Sequence, residues 1–180
     1  MQRSPAGGFT LIEVLVAMFV LAVGVIGAAA TQAASARLRQ QAALESEAVA
    51  LASSLAARIG VNPAQMALPD PANPYLQLDY DAAGGAPADP PVQCFGSAAC
   101  DSAQLAQFDI HELARSVQEG FPGGRITVCR DAPALNAALD WPCTGGSDAP
   151  LVVKIGWRRH TTAAPAPHEA TPFVVMVVSG

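Results

Sequence analysis

The chain contains few basic residues and almost no lysine. Only 10 of its 180 residues are Lys or Arg, Lys154 is the sole lysine, and the formal net charge is −5. Proteins that bind the phosphate backbone of nucleic acids neutralise it with clustered Lys and Arg. The composition therefore argues against a general nucleic-acid-binding protein. One short basic-aromatic cluster, Trp157-Arg-Arg-His160, is a candidate contact for single-stranded DNA.

The sequence also lacks the common catalytic and metal-binding motifs. It has no G-x-S-x-G elbow and no phosphate-binding loop. The acidic stretch 79–84 begins like a calcium-binding loop, but Pro90 occupies the position of the bidentate glutamate, which favours an exposed acidic turn. The three histidines lie on a predicted helix and in a region rich in Pro and Ala: His111, His160 and His168. We predict no enzymatic activity, no metal and no cofactor.

Charge is nearly absent from the first part of the chain. Only Arg3 and Glu13 are charged before Arg37, and the 17 residues from Val14 to Ala30 carry no charge and no hydrogen-bonding side chain. About 20 apolar residues span the hydrocarbon of a membrane. A carboxylate inside such a segment costs about 3 kcal/mol, and it therefore indicates a functional group that has a partner.

The residues around this carboxylate form a recognisable pattern. Gly8-Phe9-Thr10-Leu-Ile-Glu13, followed by the apolar run, resembles the prepilin signature of type IV pilins and type II secretion pseudopilins. The resemblance implies that a membrane-embedded prepilin peptidase cuts between Gly8 and Phe9, and that the new amino group of Phe9 is methylated. It also implies that Glu13 pairs with the charged N-terminus of Phe9 on a neighbouring subunit.

Simpler interpretations of this segment explain less of it. An ordinary secretory signal, cut near residues 27–30, has an apolar core of 7–15 residues and no carboxylate at its front edge. A plain transmembrane anchor leaves Gly8 and Glu13 unexplained. A capping box of Thr10 and Glu13, favoured by the helix dipole, does not offset the cost of a charge in lipid.

The apolar run is predicted to continue into a long amphipathic helix over residues 9–59. Residues 35–59 contain no Pro or Gly, and Gly60, Asn62 and Pro63 end the helix. An apolar stripe recurs at every third or fourth residue: Leu44, Ala48, Leu51, Ala52, Leu55 and Ile59. The opposite face carries Glu47, Ser54 and Arg58. We predict a leader at 1–8, a transmembrane part at 9–34, a periplasmic half at 35–60 and a globular head at 61–180.

The head is predicted to combine one helix with a small antiparallel sheet. A helix over 104–119 has four expected buried residues: Leu105, Phe108, Leu113 and Val117. Residues 125–130 and 151–158 alternate as strands, the second with Lys154 and Arg158 facing solvent and Trp157 facing the core. Residues 173–178 form a β-branched run typical of a central strand, and 75–80 form a short strand. The result is an α+β pilin fold, in which a long N-terminal spine helix packs on the sheet.

Four cysteines follow the apolar segment: Cys94, Cys100, Cys129 and Cys143. An even number beyond a membrane anchor points to disulfides in an oxidising compartment. Gaps of five and thirteen residues do not match the paired spacing of zinc knuckles. Three connectivities are possible, and Cys94–Cys100 with Cys129–Cys143 is favoured because both close short loops.

Further matches extend over nearly the whole chain, strongly to residue 62 and loosely after it. The stretches 13–17, 23–27, 51–58, 121–125 and 153–157 resemble PilV-type minor pilins, also called type IV pilus modification proteins. The segment 63–92 departs from that pattern. The resemblance implies a minor pilin that primes pilus assembly and lies near the tip, supporting adhesion or twitching motility. Its alternatives are a minor pseudopilin of type II secretion and a tip-exposed binding module for a surface or DNA.

The same resemblance implies partners and a location. The partners are the prepilin peptidase, other minor pilins, the major pilin and inner-membrane lipid. The chain is then a single-pass inner-membrane protein with a periplasmic C-terminal domain, and it reaches the pilus and cell surface after assembly.

Overall fold

A computed structural model describes residues 10–132, 140–158 and 171–178 of the chain. The chain divides into two units, Met1–Ala43 and Leu44–Gly180. Helix α1, Leu11–Gly60, supplies the described part of the first unit and the beginning of the second. The helix ends at Gly60, as the sequence predicts, and the short helix α2, Pro63–Met66, follows it.

The second unit contains a four-stranded antiparallel sheet. Its strands β1, Asp79–Asp81, β2, Arg125–Arg130, β3, Leu151–Gly156, and β4, Val174–Val178, are neighbours in chain order. Thr127 on β2 is opposite Asp79 on one side and Lys154 on the other, which fixes the register of three strands. Helix α3, Ser102–Gly120, precedes β2 and begins with a capping box between Asp101 and Gln104.

The core of the second unit lies between the sheet and the two long helices. The predicted stripe of α1 is confirmed: Ala48, Ala52, Leu55 and Ile59 are at most 1% exposed, and Leu44 and Leu51 pack against them. Phe108, Leu113 and Val117 of α3 are buried as predicted, but Leu105 is exposed. Leu105 lies in the first turn of α3, where Ala106 faces the core instead. The arrangement is the α+β fold expected from the sequence.

Two strand predictions need correction. Residues 173–178 were expected to form a central strand, but within the described residues β4 pairs only with β3 and forms an edge of the sheet. Its residues are mostly half-buried rather than covered on both faces. The strand expected at 75–80 begins at Asp79, because Tyr75 lies in a 3-10 turn, where its side chain is buried.

The prediction that Lys154 faces solvent is wrong. Its side chain is buried, and its ammonium group lies 2.6 Å from Oδ2 of the buried Asp131. Strand alternation assigns Lys154 to the face away from Val153 and Ile155, but the segment at 140–144 covers that face. Arg158 is exposed, and Trp157 is buried, as predicted.

Candidate functional site

The first turn of α1 carries the only acidic side chain of the apolar segment. Glu13 is exposed and lies in the first turn, where a carboxylate suits the positive end of the helix dipole. The backbone amides of Glu13 and Val14 both donate to the Thr10 carbonyl, which starts the hydrogen-bond ladder of the helix. Gly8 and Phe9 lie outside the described residues, so cleavage between them and methylation of Phe9 stay predictions.

The apolar part of α1 makes no core of its own. Every residue from 10 to 43 is exposed, although between residues 11 and 30 all the large side chains except Glu13 are apolar. By length and composition, Leu11–Gly60 is one helix that could cross a membrane. A Cβ built at Gly24 or Gly27 meets no atom within 4 Å. Nothing in the described chain therefore covers this surface, and its apolar character fits lipid or other apolar helices.

The four cysteines form two local disulfides, the connectivity favoured from the short loops. Cys94 is bonded to Cys100, and Cys129 is bonded to Cys143, with Cα atoms 5.8 Å and 6.3 Å apart. The first bridge holds an exposed loop in which the Phe95 ring meets the buried Phe108 of α3 edge-on, with centroids 4.8 Å apart. The bridge closes this surface loop, and the ring contact joins the loop to α3.

A buried polar network joins the end of α1 to α3. Arg58 Nη1 lies 2.6 Å from Oδ1 of Asp109, whose other oxygen accepts from the Tyr75 hydroxyl at 3.1 Å. Asn62 donates to the Tyr75 oxygen at 3.2 Å and to the Ser102 carbonyl at 2.8 Å. Burial above all raises the pKa of Tyr75 to about 12; the Asn62 hydrogen bond opposes this shift, and the negative Asp109 reinforces it.

The sequence pattern did not predict this network, because Arg58 lies on the helix face opposite the apolar stripe and nothing near Asp109 in the sequence identifies its partner. The sequence nevertheless contains a signal that Asp109 has a partner. Asp109 lies between Phe108 and Leu113 on the buried side of α3, and a carboxylate on an apolar face requires a partner. The partner, Arg58, is 51 positions away in sequence.

Lys154 and Asp131 form a second buried ion pair, beside the Cys129–Cys143 bridge. Burial by itself raises the pKa of Asp131, but the hydrogen bonds from Lys154 and Thr144 outweigh it, so the pKa lies below its ordinary value of 3.8. Asp131 is therefore ionised at neutral pH. Lys154 also donates to the carbonyls of Asp140 and Pro142, so it holds β3 to the segment at 140–144.

The candidate DNA contact does not have the geometry for base stacking. Trp157 is buried, and its ring lies 5.4 Å from that of Phe121 and 4.6 Å from that of Phe173. Bases stack on exposed aromatic side chains, so Trp157 serves the core instead. Arg158 is exposed, and Arg159 and His160 lie outside the described residues.

No group of three His, Cys, Asp or Glu side chains that could hold a metal ion occurs among residues 10–132, 140–158 and 171–178. The carboxylates in the acidic stretch at 79–84 already accept hydrogen bonds from other groups of the protein. Asp79 accepts from Arg125 at 3.2 Å and from Thr127 at 2.8 Å, while Asp81 accepts from the Ala83 amide at 2.8 Å. These bonds fix β1 to β2 and cap the turn that follows.

Comparison with known proteins adds one match. The family described as the prokaryotic N-terminal methylation motif matches residues 3–29, which include Glu13 and most of the apolar run. No curated protein and no solved structure matches the chain. The motif supports a type IV pilin-like or pseudopilin protein, a class that is structural rather than catalytic. It implies processing by a prepilin peptidase and assembly with other pilins, and with the exposed apolar helix it indicates membrane anchoring.

Proposed function

We propose that the chain is a minor pilin of the type IV pilus, a membrane-anchored subunit that primes assembly and enters the pilus in small numbers near its tip. The observation that supports this most strongly is the methylation motif at 3–29, which overlaps the part of the helix, residues 11–43, where every residue is exposed. Cleavage between Gly8 and Phe9 leaves that helix on the mature protein as its assembly surface. PilV-type identity rests on the resemblances in sequence.

Glu13 has a specific role in this proposal. Within the described residues, no ion pair involves its carboxylate, and the helix around it is apolar. A charge in lipid costs about 3 kcal/mol unless it is paired. The methylated amino group of Phe9 on a neighbouring subunit is the counter-charge. Pairing therefore forms only when helices bundle, so it favours assembly over dispersal in the membrane.

The test replaces this carboxylate by its neutral isostere. Glu13→Gln keeps the size and hydrogen-bonding capacity of the side chain, so we expect normal insertion and normal cleavage. Its recovery in sheared pili should fall roughly a hundredfold, which corresponds to about 2.7 kcal/mol of lost pairing. Glu45→Gln, at another exposed glutamate of α1, is the matched control and should assemble normally. Recovery of Glu13→Gln at the level of the control would contradict the pairing.

Two alternatives share the N-terminal chemistry. A minor pseudopilin of type II secretion carries the same methylation motif, and a tip-exposed module can bind a surface or DNA. Deletion of the gene separates them: loss of surface pili supports an assembly subunit, loss of protein secretion supports a pseudopilin, and intact piliation with lost attachment supports a binding module. In each, the head lies in the periplasm before assembly.

A further inference from the structure

The buried Lys154 is hydrogen-bonded to one side of the Cys129–Cys143 loop. Its side chain is 2% exposed, and its ammonium group donates to the carbonyls of Asp140 at 2.9 Å and Pro142 at 3.0 Å. The third contact is Asp131 Oδ2, at 2.6 Å. All three donors of the ammonium group are therefore used, and two of them bind the residues that lead directly to Cys143.

Thr144 holds the other side of Cys143. Its amide and its hydroxyl both donate to Asp131 Oδ1, at 3.3 Å and 3.0 Å, and its hydroxyl oxygen accepts from the Ala132 amide at 2.9 Å. One residue further on, the Gly145 amide donates to the Arg130 carbonyl at 3.0 Å. Asp131 and Ala132 lie just after Cys129 in the chain. These bonds thus join the two segments that carry the cysteines.

We propose that Lys154 is a positioning residue for disulfide formation: it brings Cys143 beside Cys129 and so selects this pairing from the three that four thiols allow. A buried ammonium group is stable only when it is paired and hydrogen-bonded. Lys154 therefore becomes buried only when the segment at 140–144 docks on β3, and docking places the two thiols within bridging reach. In this order of events the Lys154–Asp131 ion pair forms before the S–S bond, and the S–S bond then fixes the docked segment covalently.

The oxidation step itself needs an external disulfide. The thiols of Cys129 and Cys143 together lose two protons and two electrons and form one S–S bond. One molecule of glutathione disulfide takes up these two protons and two electrons and becomes two molecules of reduced glutathione. Lys154 takes no part in this exchange of electrons. Its contribution is to raise the local concentration of one thiol near the other, which favours the native pair over its competitors.

The first experiment measures which pairs form. Full-length protein in non-ionic detergent is reduced, denatured and re-oxidised in a glutathione buffer, and its bridges are mapped by mass spectrometry. Wild type should form mainly the two local pairs. Lys154→Met should raise the fraction of mispaired Cys143 about tenfold, equivalent to about 1.4 kcal/mol. Arg58→Met, which breaks a distant ion pair, controls for lost stability, and an equal rise in that variant would overturn the proposal.

The second experiment removes the sulfur atoms and so remains informative even where Lys154→Met folds poorly. In the double variant Cys129→Ser with Cys143→Ser, the ion pair should keep the loop docked. The amides of Ala132 and Thr144 should then stay protected from hydrogen exchange as in wild type, because their acceptors are unchanged. Loss of that protection would show that the bridge docks the loop, and it would contradict the proposal.

Discussion

The two units of this chain use the same apolar residue types in opposite ways. From residue 10 to 43 every side chain is exposed, including Leu11, Phe19 and Ile26 at about 70–80%. Later on the same helix, Leu55 and Ile59 are at most 1% exposed. The difference lies in the pattern: an unbroken apolar run covers all faces of a helix and suits lipid, whereas a stripe at every third or fourth residue makes a core with a sheet.

The two units also differ in whether their charged groups are paired within the chain. In the second unit, Asp109, Asp131 and Lys154 are buried, and each has a partner within the chain. In the described part of the first unit, Glu13 has no such partner. A charge in apolar surroundings requires one. The buried charges of the second unit are thus paired within it, whereas Glu13 has no ion-pair partner among the described residues of the first unit, and the proposed assembly role is built on that contrast.

The largest expected effect concerns the core stripe. Leu55→Ala should lower the free energy of unfolding by about 2–5 kcal/mol, because it leaves a cavity in a fully buried site. Leu21→Ala makes the same change in the exposed run and should leave the unfolding of the head unchanged. Urea titration of full-length protein in non-ionic detergent, followed by tryptophan fluorescence, measures both. An equal loss of unfolding free energy in Leu55→Ala and Leu21→Ala would contradict this distinction between the two units.

An intermediate effect is expected at the buried network. Asp109→Ala leaves Arg58 and the Tyr75 hydroxyl without their acceptor, so unfolding free energy should fall by about 2 kcal/mol; the partial exposure of Arg58 keeps the loss below that of a fully buried pair. Glu119→Ala, at an exposed ion pair of the same helix, should change it by less than about 0.5 kcal/mol. The same urea titration applies. A loss no greater than that of the control would contradict the assigned role.

A smaller effect, about 1 kcal/mol at pH 11, should be seen at alkaline pH. The folded protein keeps Tyr75 protonated to about pH 12, whereas the unfolded chain ionises near 10. The folded state thus binds more protons between these values, and stability should fall as pH rises through that window. The Tyr75→Phe variant should show a weaker fall than wild type. Identical pH profiles of unfolding free energy for the two proteins would refute this.

Local patterns predicted the local structure well. The alternation at Arg125–Arg130 and the stripe at Ala48–Ile59 describe contacts that each element must make, so residue spacing alone reveals them. Strand order is different. The β-branched run at Val174–Val178 predicts burial on both faces, but which strands flank it depends on the rest of the chain, and the described sheet places it at an edge.

Long-range ion pairs were not predictable in this way. Lys154 and Arg58 both follow a pattern typical of solvent-facing residues, yet each meets a carboxylate that another part of the chain supplies. Their partners lie 23 and 51 positions away, and no periodicity connects them. At the N-terminus the opposite holds: the motif around Glu13 carries the functional prediction, and the fold adds the exposure of the helix that follows.

The most direct test of the account is the mass of the mature N-terminus. The protein is extracted from membranes without reduction and its N-terminal peptide is analysed by tandem mass spectrometry. We predict that residues 1–8 are absent and that the chain begins at Phe9 with one methyl group on its amino nitrogen. A mature N-terminus near Ala30, or an intact leader that still begins at Met1, would contradict the assignment of this chain as a processed pilin.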